Sequence, residues 1–119
     1  MDVQIVARLC HANHLDEDDE PDHIDVLLKV KLAEGTPSVT VLDVGVDGPQ
    51  LLRRNNHLEA TTVRPGGLPT GLNLQLVPAL EEPLAIQEGD RLIVQLRLST
   101  GITVISEVSV RAASGVAGR

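Results

Sequence analysis

The chain contains no phenylalanine, tyrosine or tryptophan in 119 residues. Aromatic rings are the usual platforms for stacking bases, gripping sugar rings and caging quaternary ammonium groups. Without them those modes of recognition are excluded, and any core must be built from valine, leucine and isoleucine. Cysteine is nearly absent too: Cys10 stands alone, so an internal disulfide framework is excluded. Basic residues are in deficit, with ten Lys and Arg against seventeen Asp and Glu, for a net charge of −7. That sign argues against nucleic acid and anionic membrane as partners, because both need a cationic face. No apolar run approaches the roughly 20 residues of a bilayer span, so no membrane insertion by this chain is expected. Met1 leads directly into alternating polar and apolar residues, so no secretory leader is expected in this sequence. The expectation is a cytoplasmic or virion-borne protein, or one whose export segment has been removed.

What is present is strand pattern. Apolar residues recur with period two, the signature of a half-buried β-strand. Val3, Ile5, Ala7 and Leu9 are expected to share one face of the first segment, with Gln4 and Arg8 on the other. Ile24, Val26, Leu28, Val30 and Leu32 oppose Asp25, Lys29 and Lys31 in the second. Leu92, Val94, Leu96 and Leu98 form the inner face of a late strand. Ile102, Val104, Val108 and Val110 do the same in the last, against Thr103, Glu107, Ser109 and Arg111. Further strands are expected at Ser38–Val46, Leu58–Arg64 and Leu72–Leu80, and Leu51–Asn56 holds one helical turn at most. Gly35-Thr36-Pro37, Asp47-Gly48-Pro49, Pro65-Gly66-Gly67 and Glu88-Gly89-Asp90 supply turn chemistry between them. Ser99-Thr100-Gly101 reads as a tight hairpin.

About seven short strands with frequent turns predict an all-β fold, an antiparallel β-sandwich over residues 1–119. Its architecture is immunoglobulin-like, without the disulfide and the core tryptophan of true immunoglobulin domains. Residues 15–22 are expected to be a mobile acidic loop and residues 112–119 a flexible tail.

Four groups of residues invite chemistry. The run from Asp16 through Glu17, Asp18, Asp19, Glu20 and Pro21 to Asp22 packs six acids into seven positions. Clustered carboxylates suit a hard cation such as Ca²⁺, which makes Asp16, Asp18, Asp19, Glu20 and Asp22 weak metal candidates. Their spacing does not match the helix-loop-helix calcium loop, and mutual repulsion favours a solvated segment. Cys10, His11, His14 and His23 offer soft ligands for zinc. Residues 10 and 11 fall on opposite faces of a strand, however, so surface histidines and one small buried thiol are the simpler expectation. His57 with Glu59, and Ser99 or Ser106 with a histidine, lack any nucleophile-elbow or phosphate-cradling context. Arg53, Arg54 and Arg64 form the densest basic group, with no aromatic residue beside them to stack a base. No catalytic residue, metal or cofactor is expected.

The nominally polar faces carry apolar interruptions at Val6, Leu27, Ile93 and Ile105. Scattered singly, such residues are ordinary; clustered, they make a contact patch. These four are the candidate interface.

Several stretches resemble the outer β-domain of archaellins, the filament proteins of the archaeal flagellum. They are Val3-Gln4-Ile5-Val6, Ile24-Asp25-Val26, and the run VKLAEGTPSV from Val30 to Val39. Glu88-Gly89-Asp90 with the strands Leu92–Leu98 and Val104–Val110 resembles that domain's closing hairpin. The family's hydrophobic N-terminal helix and its aromatic residues are not in this sequence. The resemblance implies a non-enzymatic subunit of a surface filament or of its accessory machinery. Its partners would be copies of itself or other structural subunits, giving a homo-oligomer at the cell surface. A viral structural subunit (capsid decoration, turret or tail), placed in the virion, and a protein-interaction module are the alternative expectations.

Overall fold

The computed structural model describes residues 3–13, 22–56 and 60–111. Eight strands follow in order: β1 (Val3–Asn13), β2 (His23–Leu32), β3 (Val39–Asp47), β4 (Leu52–Arg54), β5 (Thr61–Val63), β6 (Thr70–Pro78), β7 (Arg91–Leu98) and β8 (Thr103–Ser109). They form two four-stranded antiparallel sheets, β1-β2-β6-β4 and β5-β3-β7-β8, packed face to face. The order β1-β2-β6 against β3-β7-β8 is that of immunoglobulin-type sandwiches, with β4 in the place of the fourth strand of the first sheet. The β-sandwich expected from the alternation is the observed fold.

Period-two patterning explains the core directly. Ile24, Val26, Leu28 and Val30 of β2 are fully buried, and so are Leu92, Val94 and Leu96 of β7 on the opposite sheet. Two branched aliphatic layers facing each other fill the interior with no ring. Burying one such side chain contributes about 1.5–3 kcal/mol. Gly101, with φ of 90°, makes the β7–β8 turn, and its N–H donates to Leu98 O at 3.0 Å. That conformation is left-handed and suits glycine. Gly48 matters for a different reason: a Cβ there would run into Leu92 Cδ2, deep in the core.

The alternation misleads in β1. Ile5 lies opposite Val30 and Ala7 opposite Lys29, so Val6 is an extra residue in a bulge. One added residue reverses every later side chain. Val3 and Ile5 face inward as expected, but beyond the bulge the core row holds Arg8, Cys10 and Ala12, opposite Leu28, Val26 and Ile24. The expectation that Ala7 and Leu9 face the core is therefore corrected; Arg8 takes the core-facing row at the sheet edge but stays exposed to solvent, as expected.

Two further corrections follow. Ile102, expected inward, is 49% exposed and lies in the turn before β8, while Ser106 takes an inward position between Val104 and Val108. The segment 51–56 contains strand β4 rather than a helical turn, because Leu52, Arg53 and Arg54 pair with Pro78, Val77 and Leu76. Three residues are too few to show a period, so only the partner strand reveals it. The tail 112–119, the loop residues 15–21, and His14, His57 and Glu59 lie outside the described residues.

Candidate functional site

The four candidate interface residues do not form one patch. Leu27 projects from the outer face of β2 directly opposite Leu9 of β1, with Val6 in the bulge of the same strand. Directly opposed side chains lie about 4.5–5.5 Å apart at Cβ, so Leu9 and Leu27 are in contact range. Ile93 and Ile105 belong to the other sheet. Ile93 lies opposite Glu107 and Ile105 opposite Gln95, which makes the two isoleucines diagonal neighbours on the outer face of β7 and β8. The sandwich thus carries an apolar pair on each of its two opposite outer faces. Val6 is 46% exposed and Ile105 65%; Leu27 and Ile93 are half-buried.

Leu9 was missed as a surface residue because the bulge that turns it outward leaves no mark in the alternation. Leu42, exposed at the irregularity between Val41 and Asp43, was missed for the same reason. Leu51, Leu68 and Leu80 are also exposed, all outside the strands. Leu68 stands between Gly67 and Pro69 and Leu80 follows Pro78 by two positions, a loop context that sequence alone reveals.

The edges of the first sheet are closed by arginines on core-facing rows. Arg8 of β1 donates through Nε to Ser106 Oγ of β8 at 2.6 Å. Arg54 of β4, opposite the buried Leu76, donates through Nη2 to Asp43 Oδ1 of β3 at 3.1 Å. Arg54 Nη1 is buried with no hydrogen-bond partner. An inward-pointing charge and a bulge are two devices that stop an edge strand from pairing with another chain, and β1 has both. Beyond Cys10 that edge is covered as well. Arg111 N donates to Cys10 O at 2.8 Å and Ala12 N donates to Arg111 O at 2.9 Å. The basic group at Arg53, Arg54 and Arg64 is split: Arg53 pairs opposite Val77 on the outer row, Arg54 sits on the inner row, and Arg64 follows β5.

A polar cluster sits where β1 ends and β2 begins. His23, expected at the surface, is only 3% exposed. Its Nδ1 lies 2.7 Å from Asp22 Oδ1 and its Nε2 lies 3.2 Å from Asp25 Oδ2. A neutral imidazole has one N–H, so the ring donates to both carboxylates only when both nitrogens carry protons. His11 lies opposite Asp25 on the same outer face, while Cys10 points the other way into the core. Burial, reinforced by the negative charge of Asp25, pushes the Cys10 thiol up to about 12. A thiol held protonated is a poor nucleophile and a poor metal ligand. With both His23 nitrogens turned to carboxylates, this arrangement clasps the start of β2. Among the described residues no group of three His, Cys, Asp or Glu side chains is placed to hold a metal. Asp16, Asp18, Asp19 and Glu20 lie outside the described residues, and Asp22 is the acid paired with His23.

No protein-family model matches the sequence, and no curated protein matches it. Among the described residues no helix is long and apolar enough to cross a membrane.

Proposed function

We propose that the chain is a non-enzymatic assembly subunit, of the kind that builds a surface filament or its accessory machinery, as the resemblance to archaellins implies. The observation that carries this reading is the placement of Leu9 with Leu27 on one outer face and of Ile93 with Ile105 on the other. A block with apolar contacts on opposite faces is at least divalent, and divalent blocks extend into rings or filaments. The guarded β1 edge supports the same reading. It disfavours unspecific strand addition there and leaves the faces and ends as the places where copies meet. The partner is a second copy of this chain or another structural subunit.

The experiment is sedimentation of the full chain from micromolar to millimolar concentration, with electron microscopy of the concentrated sample. The expected result is mass that rises with concentration, reduced by Leu9→Lys and by Ile105→Lys. A monomer throughout overturns the proposal.

A further inference from the structure

Besides its outer face, the second sheet offers an edge. β5, at one side, is three residues long, whereas β8, at the other, runs from Thr103 to Ser109. β7 pairs with one side of β8, and among the described residues no strand pairs with the other side of Thr103–Ser109. The inward charge and the bulge that guard β1 protect the first sheet alone. β8 contains no proline and no basic residue, and its register with β7 runs without a shift. Its one charge, Glu107, pairs on the outer face with Arg91 Nη1 at 3.4 Å. A long, straight, unguarded edge is a template for another strand.

The backbone shows which groups are on offer. Leu98 N donates to Ile102 O at 2.9 Å, and Val110 N donates to Asp90 O at 2.8 Å. Hydrogen-bonded pairs alternate with non-bonded ones in an antiparallel ladder, so Val104, Ser106 and Val108 bond toward β7. The N–H and C=O groups of Thr103, Ile105, Glu107 and Ser109 point the other way. Arg111 is next in that series, and its N–H and C=O do take a second strand, bonding Cys10 and Ala12 of β1. β1 thereby closes the edge at Arg111.

We propose that two copies pair antiparallel along β8, with Ile105 opposite Ile105 on a two-fold axis, merging their second sheets into one. This rests on the assembly reading for its partner, a second copy, and adds a contact that the faces do not make. Ile105, 65% exposed, meets its own counterpart, beside Ile93 of each chain. Glu107 lies opposite Thr103 of the copy, whose neighbour on β7 is Arg97, so opposite charges share one row. Moving the axis to Ser106 would bring Gly101 of the copy onto Arg111, whose backbone groups β1 already holds. Moving it to Glu107 would set two carboxylates face to face, which is destabilising. The remaining register makes about six hydrogen bonds, two at each of three pairs. Such a contact is isologous and closes as a dimer.

The test mixes two full-length variants, Thr103→Cys and Glu107→Cys, under mild oxidation. Cys10 is buried and common to both. Paired positions stand about 5.5 Å apart at Cα, within disulfide range. Two copies of Glu107→Cys would hold their thiols about 13 Å apart along the ladder, out of range. The expected product is a disulfide mapped to positions 103 and 107, formed about tenfold faster than the link between two Glu107→Cys chains, because pairing raises the effective concentration. Equal rates overturn the contact. Thr103 begins β8 and its N–H points away from β7, so Thr103→Pro leaves the ladder with β7 intact. Sedimentation of this variant, with an unchanged urea midpoint as the check on folding, separates the edge from the broader reading. Self-association weakened about tenfold or more by the two lost hydrogen bonds supports edge pairing. Association unchanged in Thr103→Pro overturns edge pairing and leaves face-to-face assembly standing, whereas a monomeric wild type at millimolar concentration overturns both.

Discussion

Arg8 occupies the core-facing row of β1 opposite the fully buried Leu28, yet its Nε reaches across to Ser106 Oγ on the other sheet at 2.6 Å. The pair joins the two sheets along one side of the sandwich. It also puts a charge where an intruding strand would have to bury it.

Arg8→Leu is expected to cost about 1–3 kcal/mol, because the inward hydroxyl of Ser106 loses its partner. Adding Ser106→Val to that variant should recover most of the loss, since replacing both partners by apolar groups is close to neutral. The double variant should aggregate more readily, its edge having lost the inward charge. Urea denaturation of the single and double variants checks the first part and light scattering the second. Strictly additive costs would show that the two residues are not coupled.

Leu28 and its neighbour Leu27 test the register of β2. Leu28→Ala removes a side chain with no exposed surface and should cost about 2–5 kcal/mol. Leu27→Ala, on the outer face, should cost less than about 1 kcal/mol. Denaturant midpoints of the two variants measure the contrast, and similar losses would contradict the observed pairing.

Cys10 gives a pH dependence with a definite sign. Its native value, raised to about 12 by burial and by the charge of Asp25, exceeds the 9.0 of an exposed thiol. Above pH 9 the unfolded chain therefore releases a proton that the native chain retains. The contribution is complete below pH 9 and falls as pH rises toward 12, by at most about 1.4 kcal/mol per pH unit. The stability of wild type relative to Cys10→Ala should thus shrink as pH rises from 9.0 toward about 12, the window set by these two values. A thiol reagent at pH 8 should modify the native chain far more slowly than the unfolded one. Equal labelling rates would place the thiol at the surface.

Residues Ile24 to Leu32 show how far the pattern alone reaches. Five apolar side chains on alternate positions predicted strand β2 and its inner face, and all five are buried. β7 was equally legible, as was the hairpin at Ser99-Thr100-Gly101. The candidate surface was legible in part. Val6, Leu27, Ile93 and Ile105 were visible as apolar interruptions, but their division between opposite faces was not, because the sequence does not say which strands share a sheet. His23 looked like a surface residue: the two carboxylates beside its ring, Asp22 and Asp25, are near neighbours in sequence, but the alternation does not record that the ring itself is buried.

Alternating aliphatic residues and the absence of aromatic rings were enough to determine two stacked sheets with an aliphatic core, because side-chain direction in a strand follows from backbone geometry alone. Only the tertiary structure decided that Val6 is the extra residue in β1, that Arg8 and Arg54 face inward, and that Leu52–Arg54 is a strand. Each depends on hydrogen bonds to a partner distant in sequence. A bulge leaves one residue unpaired and turns every later side chain to the other face; here that puts Arg8 within reach of Ser106.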